Sequence, residues 1–520
     1  MSSTVATWQL RVLLATAISH SEQIAMNAIR RRRVGGRLQT YCPTPVRYPL
    51  PAVRSFATII SLSIVTLFLT ACESLNVQQV EQATVAAADH RYPNIVFVVA
   101  DQMRAHAMGA MGNQEVITPN LDALAAEGIL LTNAISGQPV CSPFRAQLMT
   151  GRYSHSTGVV HNDIRLPDDA LIFPQLLKQH GYTTAYIGKW HLSGDRDDPV
   201  DAVSRRGWDY WAVRNVSHRH DQPRYWINDA TEPVTPVGWE PDVQTDLAIE
   251  FIEDNKERPF SVFLSYGPPH NPYELVPQKY VDMYEGSRLA GRPNVPTDNE
   301  DTLRLYYAAI TSIDANIGRL SNALEEAGVA DNTIFVFTAD HGDMLGSQGH
   351  RLKQRPWEES INIPFILRYP EKIEAGQERD WLVATVDMMP TVLGLSDVAV
   401  PETVEGLDLS ALFEGTSTEE REAVFLFNVH RGGGPGTDWR GIRTKEWVYA
   451  RHYAGDWVLY DLTNDPYELR NLIDDDNYAA VKQDLQQQLS ELRVTLGESI
   501  PLVGIDPDPI RLPEAPARGR

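Results

Sequence analysis

The sequence predicts an α/β protein with a mostly parallel sheet flanked by helices, followed by a smaller α+β region. Three observations lead there. Continuous apolar runs (NIVFVVA, PFSVFLSY, TIFVFT) are separated by helix-like segments, the pattern of strands buried on both faces. Short strand-like runs crowd together only after Pro401. The chain has 520 residues, enough for a large core and more than one domain.

The elements follow in order. Residues 94–100 (NIVFVVA) read as a buried strand. Thr118-Pro119-Asn120 opens a helix, LDALAAEG, that closes on Gly128. Thr118 is placed as its cap and Pro119 at its first position. Residues 171–180 read as a helix stopped by Gly181, and 183–187 as a strand. An amphipathic helix at 242–255 precedes a strand at 259–266. A long helix at 303–328 precedes another buried strand at 333–338. Helices alternating with apolar strands specify a parallel sheet. Past Pro401, strand-like runs at 423–427, 441–443, 447–449 and 457–460 lead into a helix at 478–496. The closing DPDPIRLPEAPARGR is Pro-rich and reads as extended. The expected division is a presequence at 1–71, a linker at 72–90, a catalytic domain at 91–400, a C-terminal subdomain at 401–500 and a tail at 501–520.

Composition narrows the class. At 43% hydrophobic and 22% charged residues, the chain is ordinary for a globular protein, so disorder is not the default reading for most of it. The start differs. Arginines at 30–33, an apolar stretch at 56–69 and Leu69-Thr70-Ala71-Cys72 follow one another. A basic region, a short apolar core and a small-residue cleavage site make an export signal. The apolar stretch is short for a membrane span. LTAC resembles a bacterial lipobox, in which Cys72 is lipidated; an uncleaved signal anchor is the other reading. A start at Met26 would shorten the basic stretch.

Charge and cysteines add constraints. Lys+Arg minus Asp+Glu is 46 − 68 = −22, and residues 1–71 hold eight arginines and one glutamate, so the remainder carries 38 − 67 = −29. So acidic a body argues against nucleic acid as a partner. It also means that any anion site must be locally basic. Of the three cysteines, Cys42 lies in the presequence and lipid would consume Cys72. Cys141 is left without an internal partner.

The polar residues fall at strand ends. The runs at 94, 183, 259 and 333 lead into Asp101-Gln102, Lys189-Trp190-His191, His270 and Asp340-His341. In parallel α/β sheets the C-terminal strand ends share one edge, where ligands bind. Any one of these residues alone is more often a cap or a solvated loop residue. Four ends together form a cleft. Asp101, Gln102, Asp340 and His341 offer two carboxylates, an amide oxygen and an imidazole. Ca²⁺ or Mg²⁺ suits the oxygens, and the imidazole leaves Mn²⁺ or Zn²⁺ open. Arg145, Lys189, His191, His270 and Lys353 supply positive charge and proton donors. Ser142 and Pro143 read as the cap and first position of a helix at 143–149, whose N-terminus favours an anion. A metal, cations and a helix end together suggest a sulfate or phosphate group.

At Cys141-Ser142-Pro143-Phe144-Arg145, continuing as AQLMTGR, the chain resembles the type I sulfatases and their C-x-P-x-R signature. GYTTAYIGKWH at 181–191 resembles their second signature. Tyr460-Asp461-Leu462, Asp465-Pro466, Glu468 and Asn471-Leu472 resemble their C-terminal motif. The resemblance spans about residues 94–472. It implies an alkaline-phosphatase-like α/β core with a small C-terminal sheet domain. It implies that Cys141 is oxidised to Cα-formylglycine (3-oxoalanine) by a maturation enzyme and serves as the nucleophile. Asp101, Gln102, Asp340 and His341 would then hold calcium (Mg²⁺ or Mn²⁺ being alternatives), with residue 141 as a further ligand. By the same resemblance Arg145 orients residue 141, Lys189 and Lys353 bind sulfate oxygens, His191 assists the aldehyde hydrate, and His270 is the candidate acid for the leaving alcohol. Asp101-Gln102 and Asp340-His341 depart from the family's usual Asp-Asp and Asp-Asn. Choline sulfatases and phosphonate monoester hydrolases share such variants, so metal identity stays open and phosphoryl substrates remain an alternative.

The implied chemistry is coherent. A plain thiol would give a stable thiosulfate-like adduct, whereas a geminal diol offers one oxygen for attack on sulfur and a second to expel sulfate. The expected substrate is a sulfated polysaccharide or its oligosaccharides, met by an exported, periplasmic or cell-surface lipoprotein. The alternatives are a phosphonate or phosphodiester hydrolase and an inactive surface glycan-binding protein. Weaker cleft candidates are His155, His161, Asn162, Arg165, His218, Arg219, His220, His350 and Arg351. Gly432-Gly433-Gly434 lacks the strand-to-helix setting of a phosphate loop. Trp208, Trp211, Trp226 and Trp239 read as core rather than sugar platforms.

Overall fold

Runs too continuously apolar for a half-exposed sheet become the middle of a covered one. The computed structural model describes residues 92–194, 199–429 and 438–502. The presequence with Cys42, the linker with Cys72, the Gly432-Gly433-Gly434 stretch and nearly all of the Pro-rich tail lie outside the described residues. Among the described residues no helix is long and apolar enough to cross a membrane.

The strands of the large sheet are β1 (Asn94–Asp101), β2 (Ile129–Ile135), β3 (Thr183–Lys189), β4 (Tyr210–Arg214), β5 (Trp226–Ile227), β6 (Phe260–Pro269), β7 (Thr333–Ala339), β8 (Asn362–Arg368) and β9 (Gln377–Ala384). They form one nine-stranded sheet in the order β5-β4-β3-β6-β1-β7-β8-β2-β9. The central run β4-β3-β6-β1-β7 is parallel throughout; β8 runs antiparallel to both β7 and β2. β10 (Ala423–Asn428), β11 (Trp439–Thr444), β12 (Trp447–His452) and β13 (Gly455–Asp461) make a separate antiparallel sheet of four.

The helices that matter below are α1 (Pro119–Ala126), α2 (Cys141–Thr150), α3 (Phe173–Gln179), α4 (Glu240–Asn255), α5 (Glu300–Glu326), α6 (Thr385–Leu395) and α7 (Ala479–Thr495). α5 buries Leu303, Tyr306, Ile310, Ile313, Ile317, Leu320 and Leu324, the three-to-four spacing of one helical face. α4 and α5 pack on each other and on β6, α6 packs on α2, and α7 packs on the small sheet.

The expected elements are present with ends shifted by a few residues. Five strands were not expected: β2, β4, β5, β8 and β9. Thr118 also differs from its expected role. Its hydroxyl donates to Asp122 Oδ1 at 3.1 Å and accepts from the Gly109 N–H at 2.8 Å, and it makes no side-chain cap bond. The free N–H groups of Asn120 and Leu121 instead donate to Asp314 Oδ1 on α5, at 2.9 and 2.8 Å. A carboxylate from another helix thus does the capping.

Candidate active site

Parallel pairing places the C-terminal ends of β3, β6, β1 and β7 side by side, and these ends carry the polar residues. β1 ends in Asp101 with a shift of register against β6 between Ala100 and Asp101. Such an irregularity re-aims the side chain that follows it. Gln102 follows with φ 69° and His191 has φ 57°, a backbone state that non-glycine residues rarely hold. Gly188 on β3 has φ 111°, and a Cβ there would lie 2.1 Å from the Ser265 carbonyl oxygen. Only glycine lets β3 approach β6 this closely just before Lys189.

Asp101, Cys141, Asp340 and His341 are all buried and each offers a ligand atom within 4.8 Å of the others. His341 Nε2 lies 3.3 Å from Cys141 Sγ and 3.3 Å from Asp340 Oδ1. Lys189 Nζ donates to Asp101 Oδ2. Arg145 spans both carboxylates, with Nη2 3.6 Å from Asp101 and 3.4 Å from Asp340. Its Nη1 donates to the Lys189 carbonyl at 2.8 Å and to Ser265 Oγ at 2.7 Å. Lys353 Nζ lies 3.2 Å from Cys141 Sγ, 3.1 Å from Gln102 Oε1 and 3.1 Å from His270 Nε2. The structure thus brings together Asp101, Gln102, Cys141, Arg145, Lys189, His270, Asp340, His341 and Lys353.

His191 joins through the backbone. Its carbonyl accepts from Ser142 Oγ at 2.7 Å, and its Nε2 lies 3.3 Å from Asp163 Oδ1. This corrects the expected cap. α2 starts at Cys141, not Pro143, and Val140 precedes it in extended conformation. The Ser142 hydroxyl is spent on His191, while its N–H donates to Asn162 Oδ1 at 2.9 Å. Cys141 therefore sits in the first helical turn, where exposed N–H dipoles favour negative charge.

Electrostatics follow from burial. Burial alone would push the Asp101 carboxyl up, but Lys189 foremost, with Lys353 and Arg145, holds it well below the usual range. Burial and the Asp101 carboxylate push Asp340 up to about 6. Burial and Asp101 also resist ionisation of the Cys141 thiol, yet Lys189, Lys353 and His341 outweigh them and bring its pKa well down. Burial opposes the charge on Lys353, but Cys141, Asp101 and Asp340 raise its pKa. Two adjacent carboxylates, an imidazole and residue 141 fit a divalent cation, because a bound cation lets both carboxylates ionise. Gln102 turns its Oε1 toward Lys353, and its Nε2 donates to Asp343 Oδ2 at 2.7 Å.

Other expected cleft residues have different places. His155 bonds the Leu496 carbonyl at 2.8 Å. Arg165 pairs with Asp168 and Asp201 at the surface, and Arg219 with Asp221. His350 stacks on Trp357 at 5.2 Å, while Arg351 is exposed. His161 Nδ1 lies 2.7 Å from the Asn162 carbonyl. His220 is buried in an ion pair with Glu240. His218 does reach the site, stacking on His270 with centroids 4.1 Å apart and planes 2° apart. Trp208, Trp211, Trp226 and Trp239 are buried core residues. Sequence reasoning missed Asp163, Asn271, Tyr273 and Asp343. Tyr273 donates to Asp343, and Gln102 Nε2 donates to Asn271 Oδ1 at 3.3 Å. Nothing local in the sequence marks these residues.

Comparison with known proteins identifies the family. The Sulfatase family model matches residues 93–398, and the model for the C-terminal part of N-sulphoglucosamine sulphohydrolase matches residues 346–495. The first covers more than half of the chain, so this protein belongs to the sulfatase family and is a sulfuric ester hydrolase. An ulvan-active sulfatase of Formosa agariphila is 36% identical over 88% of this chain and 90% of its own. A structure solved with its substrate D-glucosamine-2-N,6-O-disulfate superposes with a TM-score of 0.73 at 26% identity, covering 79% of this chain and 99% of that one. A phosphonate monoester hydrolase of Agrobacterium radiobacter shares the fold, with a TM-score of 0.64 at 24% identity over 78% of this chain and 96% of that one.

A cation bound among these ligands must displace the Asp340 proton, so binding strengthens as pH rises through about 6. Chelation of the purified protein is therefore expected to lower its melting temperature, and Ca²⁺ to restore it. The restored shift should be larger at pH 7.5 than at pH 5. An equal shift at both values would show that Asp340 is not a ligand.

Proposed function

We propose that this hydrolase removes sulfate from sulfated polysaccharides or their oligosaccharides, using a Cα-formylglycine made from Cys141 and a calcium ion. The observation that carries the reading is the position of Cys141. It opens a buried helix end, its sulfur within 3.3 Å of His341 and 3.2 Å of Lys353, beside two carboxylates. The names of the relatives support a carbohydrate ester as substrate.

Asp101, Gln102, Asp340, His341 and residue 141 would hold the cation, and Mg²⁺ or Mn²⁺ suits the same donors. When bound, it supplies charge neutralisation for an anionic ester and lowers the pKa of an oxygen ligand. The hydrated aldehyde of the matured residue supplies an oxygen nucleophile. The chain's own residues do the remainder. Arg145 is locked by five partners, Asp101, Asp340, Ser265, the Lys189 carbonyl and the Tyr186 hydroxyl, and orients residue 141. Lys189 and Lys353 offer ammonium donors to sulfate oxygens that gain charge in the transition state. His191 accompanies residue 141 through Ser142. His270 rests with Nδ1 donating to the Asn271 carbonyl at 2.7 Å and Nε2 accepting from Lys353. Burial and the neighbouring Lys353 hold its pKa well below the usual imidazole range. The leaving oxygen therefore takes its proton from the Lys353–His270 pair rather than from a free imidazolium.

The Gln102 and His341 departures, together with the shared fold, keep phosphonate or phosphodiester esters as the second reading. We also read the chain as an exported lipoprotein anchored through Cys72, with the catalytic region ending near residue 400 and a maturation enzyme as partner.

Cys141→Ala is expected to abolish turnover while the chain still folds, as circular dichroism would show, and mass spectrometry of the wild-type Cys141 peptide to show the aldehyde; full activity of the variant would end this mechanism. Across a panel of sulfated glycans, small alkyl sulfates and phosphodiesters, the glycans should release most sulfate, and turnover confined to the other two classes would refute the substrate. Cys72→Ala should move the protein from the membrane fraction to the soluble one, and unchanged fractionation would exclude the anchor.

A further inference from the structure

Behind His270 lie three buried side chains that none of these roles uses. Arg214 ends β4, Glu240 begins α4, and His220 lies in the chain between them; their exposures are 2%, 0% and 1%. Glu240 Oε1 accepts from Arg214 Nη2 at 2.5 Å and from Gln244 Nε2 at 2.9 Å. Glu240 Oε2 lies 2.5 Å from His220 Nδ1. On the far side of the ring, His220 Nε2 lies 3.1 Å from the backbone oxygen of His270.

Hydrogen-bond inventory sets the roles. A carbonyl oxygen only accepts, so His220 Nε2 is a donor. Burial resists ionisation of Glu240, but Arg214 and His220 outweigh it and lower its pKa. An ionised carboxylate also only accepts, so His220 Nδ1 is a donor too. The ring is thus held between an anion and the main chain of His270. The Glu240 N–H donates back to the His220 carbonyl at 2.9 Å. There is no slack. A Cβ on Gly267 would lie 2.5 Å from Arg214 Nη2, 2.6 Å from Glu240 Oε2 and 2.7 Å from His220 Cε1. The network fills the space beneath the strand end that delivers His270.

We infer that His220, backed by Glu240 and Arg214, is a positioning residue for proton delivery to the leaving group. It fixes the main chain at His270, while the bond to Asn271 and the stack on His218 fix the ring. Together they keep His270 Nε2 on Lys353 Nζ. The inference rests on the reading of the Lys353–His270 pair as the proton source.

Leaving-group dependence tests it. 4-Nitrophenol leaves without a proton, whereas a sugar or alkyl alcohol needs one. General acid catalysis contributes roughly 10²–10⁴-fold, so partial misplacement should cost about ten- to hundredfold on an alkyl sulfate or sulfated sugar. His220→Gln, which cannot serve both acceptors, should show that loss in kcat but stay within about threefold of wild type on 4-nitrophenyl sulfate. Glu240→Gln is the second variant, should His220→Gln not fold by melting analysis. His270→Ala is the reference. Equal losses on both ester classes in the His220 and Glu240 variants, with a split in His270→Ala, would overturn the inference alone. No split in His270→Ala would remove the proton-donor reading, and the inference with it.

Discussion

Asp101 and Asp340 lie side by side with no exposed surface, and two buried carboxylates this close repel each other strongly. The rest of the site is an answer to that repulsion. Lys189 takes one oxygen of Asp101, Arg145 bridges both acids, and Lys353 adds a third cation. Removing one partner from a buried pair typically costs about 3–5 kcal/mol, because a charge is left uncompensated. In the proposed reaction the same cations meet the ester. Groups fixed in place by a carboxylate are already oriented when an anionic ester enters, and little reorganisation is left to do.

The large sheet makes this geometry a consequence of pairing. β3, β6, β1 and β7 are parallel neighbours, so their ends converge without any special loop. A line of backbone bonds then runs in from the side. Trp190 N–H donates to the Arg214 carbonyl at 3.0 Å and His191 N–H to the Asn215 carbonyl at 2.8 Å. His191 in turn receives Ser142, the residue after Cys141. Arg214 therefore braces both flanks: its carbonyl holds the His191 loop, and its guanidinium holds Glu240 behind His270.

Lys353 arrives by another route. It lies on a segment where Leu345, Gln348, Leu352 and Gln354 all have positive φ, an arrangement that needs external support. The small sheet gives it. Trp439 Nε1 on β11 donates to the Gln354 carbonyl at 3.0 Å, and Gln354 Nε2 donates to Asn428 Oδ1 on β10 at 3.3 Å. On the other side, Gln354 N–H donates to the Pro139 carbonyl at 3.2 Å, two residues before Cys141. The C-terminal sheet thus holds in place a lysine it does not carry.

Much of this was legible in the sequence. Buried strands announce themselves through continuous apolar runs, and their polar tips mark the ligand edge, so Asp101, Lys189, His191, His270 and Asp340 could be gathered from one dimension. β9 (QERDWLVA) could not, since half of it is polar and it gains its place by pairing with β2. The Asp314 cap of α1 acts across 194 positions, and no local pattern encodes that. His220 looked like another loop histidine until Glu240 and the His270 carbonyl closed on it. Continuous apolar runs marked β1, β3, β6 and β7 and the edge where their polar tips gather, because burial leaves a local imprint, while the roles of those residues were implied by the resemblance of the C-x-P-x-R and GYTTAYIGKWH segments to the sulfatases. Which charge compensates which, and what holds each catalytic group in place, only the tertiary structure decided, because those pairings form between residues that the chain brings together only when folded.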